Sequence, residues 1–300
     1  MNLDRTVRVA RLPERGETVV GEALGATPGG KGANQAVAAA RQGARTALIG
    51  CVGDDGAGTD LVAFLEAEPN LDARGVARVS GLTGTAFVTV DEAGGNTVVS
   101  ARNANGRLDE THVHRHGRAV ADASVLVVQL GVPSDAIRAA LEIARSVGTI
   151  TVLDPSPAGE VTDELLRLVD ICAPNETEIE QLTGIAVTDT DGARRAAEAL
   201  VARGCATVAV TLGARGAYYA GAGASDRHLI APFPVEVVDP TGAGDAFCGA
   251  LAASLARRAS LTASLREACA AGALATTRFG AAPSIPTRAE VEALLGRRTG

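Results

Sequence analysis

Tryptophan is absent from this 300-residue chain, only 2% of its residues are aromatic, and a single lysine, Lys31, stands among 28 basic residues. Hydrophobic residues make up 46%, enough for a substantial core, but Ala, Val and Leu have to fill it. There is no basic run and the net charge is −7, which argues against nucleic acid or an anionic membrane surface as a partner. Any phosphate must therefore be held locally, by loops and helix dipoles. No apolar run reaches membrane-spanning length, and the polar start Met1-Asn2-Leu3-Asp4-Arg5 is unlike a secretory leader, so a cytoplasmic protein is expected. The five cysteines (Cys51, Cys172, Cys205, Cys248, Cys269) are scattered and never in CxxC spacing. Neither a disulfide framework nor a zinc site is indicated, and they are expected to be small buried apolar residues. His112, His114 and His116 sit beside Arg115 and Arg118, and are expected on a solvated helical face rather than around a metal.

The most informative stretch is Val238-Asp239-Pro240-Thr241-Gly242-Ala243-Gly244-Asp245-Ala246-Phe247, followed by an apolar segment. A Gly-rich turn opening a helix directs backbone N–H groups and the positive end of the helix dipole at one point. Asp245 sits beside it. An anion hole next to a base suits phosphoryl transfer to an alcohol, because the phosphoryl oxygens gather charge while the hydroxyl loses a proton. A bare GxGD would read as an ordinary capped helix start; the longer string favours the chemical reading.

Lys31 lies in Pro28-Gly29-Gly30-Lys31-Gly32-Ala33-Asn34-Gln35-Ala36, just ahead of an Ala-rich helix over Ala33 to Arg41. Its compact ammonium, the close backbone approach that glycines allow, and the donor and acceptor of Asn34 all suit a polyol. Gly25 to Lys31 has Walker A spacing, but Gly32 replaces the magnesium-binding Ser or Thr. Gly50, Gly53, Gly56 and Gly58 do not follow the dinucleotide pattern, and Asp54 and Asp55 would face a pyrophosphate.

Short β-rich runs alternate with helical segments along most of the chain. Strands are expected at Thr46 to Cys51, Val125 to Gln129, Ile150 to Leu153, Ile171 to Ala173 and Val208 to Leu212. Helices are expected near Asp60 to Glu66, Asp135 to Val147, Glu176 to Leu182, Ala193 to Ala202, Ala246 to Arg257, Leu261 to Thr277 and Arg288 to Leu295. The alternation predicts an α/β fold, a three-layer, mostly parallel sheet with helices on both faces. Residues 17–24, and a hairpin over 85–100 that turns at Glu92-Ala93-Gly94-Gly95, break the pattern and are expected to form a small β-sheet lid on one catalytic domain spanning residues 1–300.

With these residues the chain resembles the ribokinase-like (PfkB) family of carbohydrate kinases over nearly its whole length. Gly29 to Ala36, with Gly43 and Gly53 downstream, matches the N-terminal family signature, and Asp239 to Phe247 the C-terminal one. The resemblance implies ATP-dependent transfer of the γ-phosphate to the primary hydroxyl of a pentose, D-ribose at O5. It implies Asp245 as catalytic base, with the amides of Gly242, Ala243 and Gly244 as anion hole. Asn2, Asp4, Gly30, Lys31 and Asn34 match the positions that hold sugar hydroxyls. Asn175-Glu176-Thr177-Glu178 matches the NxxE motif, with Glu178 organising Mg²⁺ through water and Asn175 approaching the phosphates; by itself the string reads as a helix cap. Thr211, Gly213 and Gly216, in the loop after a strand, fall on the nucleotide side with Gly244. Asp239, Thr241, Ala275, Arg278, Gly280 and Ser284 match positions that bind K⁺ in relatives. A homodimer formed through the lid is a further family expectation.

The sequence departs from the family pattern in three places. Gly131, in Gln129-Leu130-Gly131, stands where a sugar-contacting glutamate is usual, which keeps another sugar or a nucleoside open as acceptor. Arg102-Asn103-Ala104-Asn105 replaces a Gly-containing string after the lid hairpin. Met1 falls just ahead of Asn2, so the first core strand is expected to be missing, and a non-catalytic sugar-binding protein stands as the reading from another class.

Overall fold

Runs such as Val125-Leu-Val-Val-Gln129 and Ile150-Thr-Val-Leu-Asp154 are short, β-branched and apolar on both faces, which fits strands covered by helices on either side. The computed structural model describes residues 1–92, 95–221, 223 and 227–296. The chain begins with β1 (Asn2–Val9), β2 (Glu22–Gly29), α1 (Lys31–Arg41), β3 (Thr46–Gly53), α2 (Gly56–Ala67) and β4 (Leu71–Val79). The hairpin β5 (Thr85–Asp91) and β6 (Asn96–Ala101) follows, then α3 (Glu110–Arg115), α4 (Gly117–Ala121), β7 (Val125–Gln129), α5 (Ser134–Val147) and β8 (Ile150–Asp154). The second half contains α6 (Asp163–Leu166), β9 (Ile171–Cys172), α7 (Glu176–Thr183), α8 (Thr190–Ala202), β10 (Thr207–Thr211), β11 (Ala217–Gly221) and β12 (Arg227–Ile230). It closes with α9 (Ala243–Ala256), α10 (Leu261–Ala275) and α11 (Arg288–Gly296).

The main sheet has six strands in the order β12-β11-β10-β9-β8-β7. Strands β7 to β10 are parallel, as the alternation predicts, whereas β11 and β12 add an antiparallel edge. Side-chain alternation builds a core on each face. Leu153, Cys172, Val208 and Val210 point to one face, against Ile137, Leu141, Ile179 and Leu200 of α5, α7 and α8. Val152, Ile171 and Ala209 point to the other, against Phe247, Leu251 and Leu265 of α9 and α10. Each fully buried leucine stabilises the fold by about 1.5–3 kcal/mol relative to exposure, so aliphatic residues replace the scarce aromatics.

Strands β3 and β4 form a separate parallel pair, and β3 and β7 each have one edge with no partner strand among the described residues. Helix α1 packs against both. It also crosses α9 so closely that a Cβ at Gly249 would lie 2.4 Å from Ala38 Cβ and 2.6 Å from Gln35 O.

The lid is a four-stranded sheet, β2-β1-β5-β6. The hairpin stands as expected, with part of its turn, residues 93 and 94, outside the described residues. The other expected lid strand, residues 17–24, is displaced: β2 covers Glu22–Gly29 and pairs antiparallel with β1. β1 itself escaped the sequence reading because Asn2, Asp4, Arg5 and Arg8 hide its alternation. His112 differs from its expected solvated setting: it is buried, and its Nε2 lies 2.9 Å from Gly75 O, so it bridges α3 to β4. Four cysteines are buried and Cys269 is partly so, as small apolar residues. No helix among the described residues is long and apolar enough to cross a membrane.

Candidate active site

Gly242 adopts the left-handed conformation (φ 79°) and opens α9, with no side chain capping its first turn. The Ala243 N–H turns back to Pro240 O at 3.2 Å, while the Gly242 and Gly244 N–H groups have no acceptor among the described residues. Two of the three expected anion-hole amides are therefore available, and Ala243 shapes the turn. Asp239 fixes the loop from behind: its Oδ1 accepts from Thr241 N and its Oδ2 from Gly280 N, each at 2.9 Å. Ser284 Oγ donates to Ala281 O, and Ala281 packs against Gly242. The Arg278 side chain pairs with Glu290, and Ala275 ends α10.

Asp245, in the first turn of α9, is only 6% exposed. Asn34 Nδ2 donates to its Oδ2 at 2.8 Å and Gln35 Nε2 to its Oδ1 at 3.0 Å. Burial raises the carboxyl to about 6; Lys31 works against that rise, and the charge of Asp154 adds to it. A carboxylate so placed is more basic than usual while still ionised at neutral pH.

The expected sugar-holding residues converge beside it. Asp4, on β1, is raised to about 6, mainly by burial. Its Oδ1, and Oδ1 of the 3%-exposed Asn34, are buried acceptors with no hydrogen-bond partner among the described residues. Leaving such atoms unpaired is costly, and hydroxyl donors would satisfy both. Asn2 Oδ1 is held by Asn105 Nδ2 at 2.9 Å, and the same Asn105 amide binds Met1 O at 2.8 Å. Asn105 belongs to the string that departs from the family pattern, and its role was not legible in the sequence. At Gly131 the absent side chain is replaced by a neighbour: Gln129 Oε1 accepts from Gly131 N at 2.5 Å and occupies the space a Cβ would need.

Lys31 Nζ donates to Asp154 Oδ2 at 3.1 Å, and both line a small cavity with Asn175, Glu178, Thr211, Gly244 and Phe247. Asn175 and Glu178 form the capping box that the bare string suggested: Asn175 Oδ1 accepts from Glu178 N at 2.8 Å, and Glu178 Oε2 from Asn175 N at 2.9 Å. They cap α7 and face the cavity at once. Burial raises the Glu178 carboxyl, with the charge of Asp154 adding to the effect. Gly213 and Gly216 lie in the turn after β10, where Leu212 N bonds Gly216 O at 2.8 Å; neither lines the cavity, which Thr211, the last residue of β10, does. Asp154 and Gln35 are members of the site that sequence reasoning left without a role. For Asp154 a signal existed: a carboxylate at the C-terminal end of a parallel strand, where ligands of open α/β sheets bind.

A buried base, free amides at a helix start, unpartnered acceptors and a cavity joining them form the outline of a phosphoryl-transfer site. Comparison with known proteins agrees. Residues 1–288 match the pfkB family carbohydrate kinase model. The chain is 40% identical over 292 residues to a ribokinase of Haemophilus influenzae, covering 97% of this chain and 94% of the relative. It is 32% identical over 280 residues to a deoxyribokinase of Salmonella typhi, covering 92% and 90%. Its fold superposes on the structure of Arabidopsis thaliana ribokinase complexed with ribose and ATP with a TM-score of 0.90, at 30% identity, covering 98% of this chain and 96% of that one. By that match over residues 1–288 and by these relatives, the chain belongs to the pfkB family of carbohydrate kinases.

Proposed function

We propose that this carbohydrate kinase transfers the γ-phosphate of ATP to the primary hydroxyl of a pentose, converting D-ribose to D-ribose 5-phosphate. The observation that carries the reading is Asp245: buried, raised to about 6, and held through both oxygens by Asn34 and Gln35. Each oxygen keeps a lone pair, so the carboxylate can take the hydroxyl proton as the oxygen attacks the γ-phosphorus. The free amides of Gly242 and Gly244 then meet the charge that develops on the transferring group. Asp4 and Asn34 offer their unpartnered oxygens to sugar hydroxyls.

The residues present fit Mg²⁺ as the companion of the nucleotide. Glu178 and Asp154 face one cavity, and burial and mutual repulsion raise Glu178, a situation that a hydrated dication relieves. When bound, Mg²⁺ neutralises phosphate charge. Glu178 would hold it through water, and Asn175 and Thr211 would face the phosphates. For K⁺, the family resemblance implies a site behind the anion hole, in the region that the Asp239–Gly280 bond and the packing of Ala281 on Gly242 hold together. Substrate and site point to a protein acting in the cytoplasm.

A second acceptor is favoured by one observation. Gln129 fills the space at Gly131 and spends its Oε1 on the Gly131 N–H, so the carboxylate usual in the family is missing here, which keeps a deoxypentose, another sugar or a nucleoside in play. The deciding experiment is ADP release from ATP, Mg²⁺ and K⁺ with pentoses, deoxypentoses, hexoses and nucleosides. Turnover with ribose above all others supports the proposal. A different preferred acceptor keeps the chemistry and replaces the substrate, and binding without turnover would support a non-catalytic sugar-binding protein.

A further inference from the structure

Gln35 and Asp154 lie 119 residues apart and meet behind the base. Gln35, 4% exposed, reaches from α1, and its Nε2 donates to Asp154 Oδ2 at 2.7 Å and to Asp245 Oδ1 at 3.0 Å. Asp154, also 4% exposed, ends β8 and accepts Lys31 Nζ on the same oxygen. One carboxamide nitrogen carries two hydrogens and here serves two buried carboxylates at once. Without it, two anions would face each other across a desolvated space, which is costly.

This arrangement decides where the lone ammonium goes. Lys31 is within electrostatic reach of Asp154, Asp245 and Glu178, and it bonds Asp154. An ammonium drawn onto Asp245 would instead compete for the proton-accepting oxygen and weaken the base. We propose that Gln35 and Asp154 are positioning residues for Asp245: Asp154 diverts Lys31 from the base, and Gln35 locks the base to that anchored pair. This inference rests on the reading of Asp245 as the base.

Asp245 is faced by Lys31 from α1, Asp154 from β8, Asp4 and the Met1 amino group from the start of the chain, and Cys248 from its own helix. Glu178, on α7, acts on it through Lys31. Replacing Asp154 by Asn removes a negative charge near Asp245 and releases Lys31 toward it. Both changes lower the proton affinity of Asp245, so their effects on the pH profile share one sign.

The test is the pH dependence of kcat/KM for the best acceptor in the parent enzyme, Asp245→Asn, Asp154→Asn, Gln35→Leu and the double variant Gln35→Leu/Asp154→Asn. If the parent turns over and Asp245→Asn does not, the reading of the base stands; retained turnover in Asp245→Asn overturns that reading and this inference with it. With the base established, Asp154→Asn is expected to move the acid limb to lower pH by roughly half to one pH unit. Its kcat should fall roughly 3- to 30-fold near pH 8. An unmoved limb overturns the role of Asp154. Gln35→Leu is expected to cost kcat by a similar or larger factor, and the double variant to be no worse than the poorer single one, because both act through one link. Multiplicative losses would overturn the coupling. Calorimetric binding of the acceptor reports on folding of each variant; if Gln35→Leu binds nothing, the limb of Asp154→Asn, which keeps the parent shape, decides.

Discussion

Asn34 Nδ2 lies 2.8 Å from Asp245 Oδ2, while the Oδ1 of the same asparagine is buried without a protein partner. One carboxamide thus holds the base with its donor and keeps its acceptor for a ligand. On the proposed reading, a residue with this division of labour ties the orientation of Asp245 to the presence of the sugar, since both contacts belong to one rigid group on α1.

That relationship makes Asp245→Asn a clean probe of chemistry. The new amide can keep its oxygen toward Asn34 Nδ2 and turn its own donor toward Gln35, which leaves Asn34 Oδ1 facing the acceptor site. The fold and the sugar site are therefore expected to survive, and turnover to fall roughly 10²- to 10⁴-fold. Steady-state ADP release, set beside the thermal shift produced by the acceptor, checks this. A lost thermal shift would mean that the substitution damaged the pocket rather than the base.

The same substitution has a consequence for stability. Asp245 and Asp4 rise from 3.8 in the unfolded chain to about 6 in the fold, chiefly through burial. For a carboxyl raised on folding, the stabilising contribution is complete below about pH 4 and is lost as pH rises through about 6. At neutral pH both ionisations oppose the fold. Asp245→Asn is expected to be more stable than the parent near pH 8, by about 1–3 kcal/mol, and to lose that advantage by about pH 4. Denaturant unfolding at the two pH values measures the difference; an advantage that grows as pH falls would contradict the buried setting of Asp245.

Much of the site was legible because it is local in sequence. The strings around Lys31 and Asp245 place their residues through a turn and one helical turn each, and neighbours in sequence stay neighbours in space. Asp239 was legible as a residue of the α9 loop, though its carboxylate spends both oxygens on the backbone N–H groups of Thr241 and Gly280. Gln35, Asp154 and Asn105 were not legible in their roles, because each acts on a group more than a hundred residues away. The parallel strands β7 to β10 were readable from their apolar runs. β1 and β4 were not: polar residues on the lid face interrupt the first, and Asp72, Arg74 and Arg78 the second.

Gly249 links packing to catalysis. A Cβ there would lie within 2.4–2.8 Å of Ala38 Cβ, Gln35 O and Ala39 N, all on α1. Gly249→Ala is expected to force α1 and α9 apart and to destabilise the protein by about 1–3 kcal/mol. Because Asn34 and Gln35 ride on α1 and Asp245 on α9, kcat should fall more than the melting temperature alone would suggest. Comparing kcat well below the transition with the melting temperature tests the link, and a variant that loses stability with kcat intact would break it.

The lid carries the last prediction. In the register of β1, β5 and β6, Arg5, Phe87 and Val99 stand opposite one another on one face, while Asp4 and Ala86 share the other. Ala86 is buried and Asp4 half-buried on the opposite face, whereas Phe87 is 51% and Val99 68% exposed. An aromatic and a valine side by side on an open strand pair are apolar surface that a second copy of this sheet would cover, in line with the homodimer that the family resemblance implies. If two copies pair through this face, Phe87→Asp and Val99→Asp are expected to leave a monomer in light scattering where the parent is a dimer, without lowering the melting temperature of the main sheet. Because the lid also carries Asn2 and Asp4, the monomer should show a raised KM for the acceptor and an unchanged KM for ATP. A parent chain that is monomeric at micromolar concentration, or variants that remain dimeric, would place the contact between copies elsewhere.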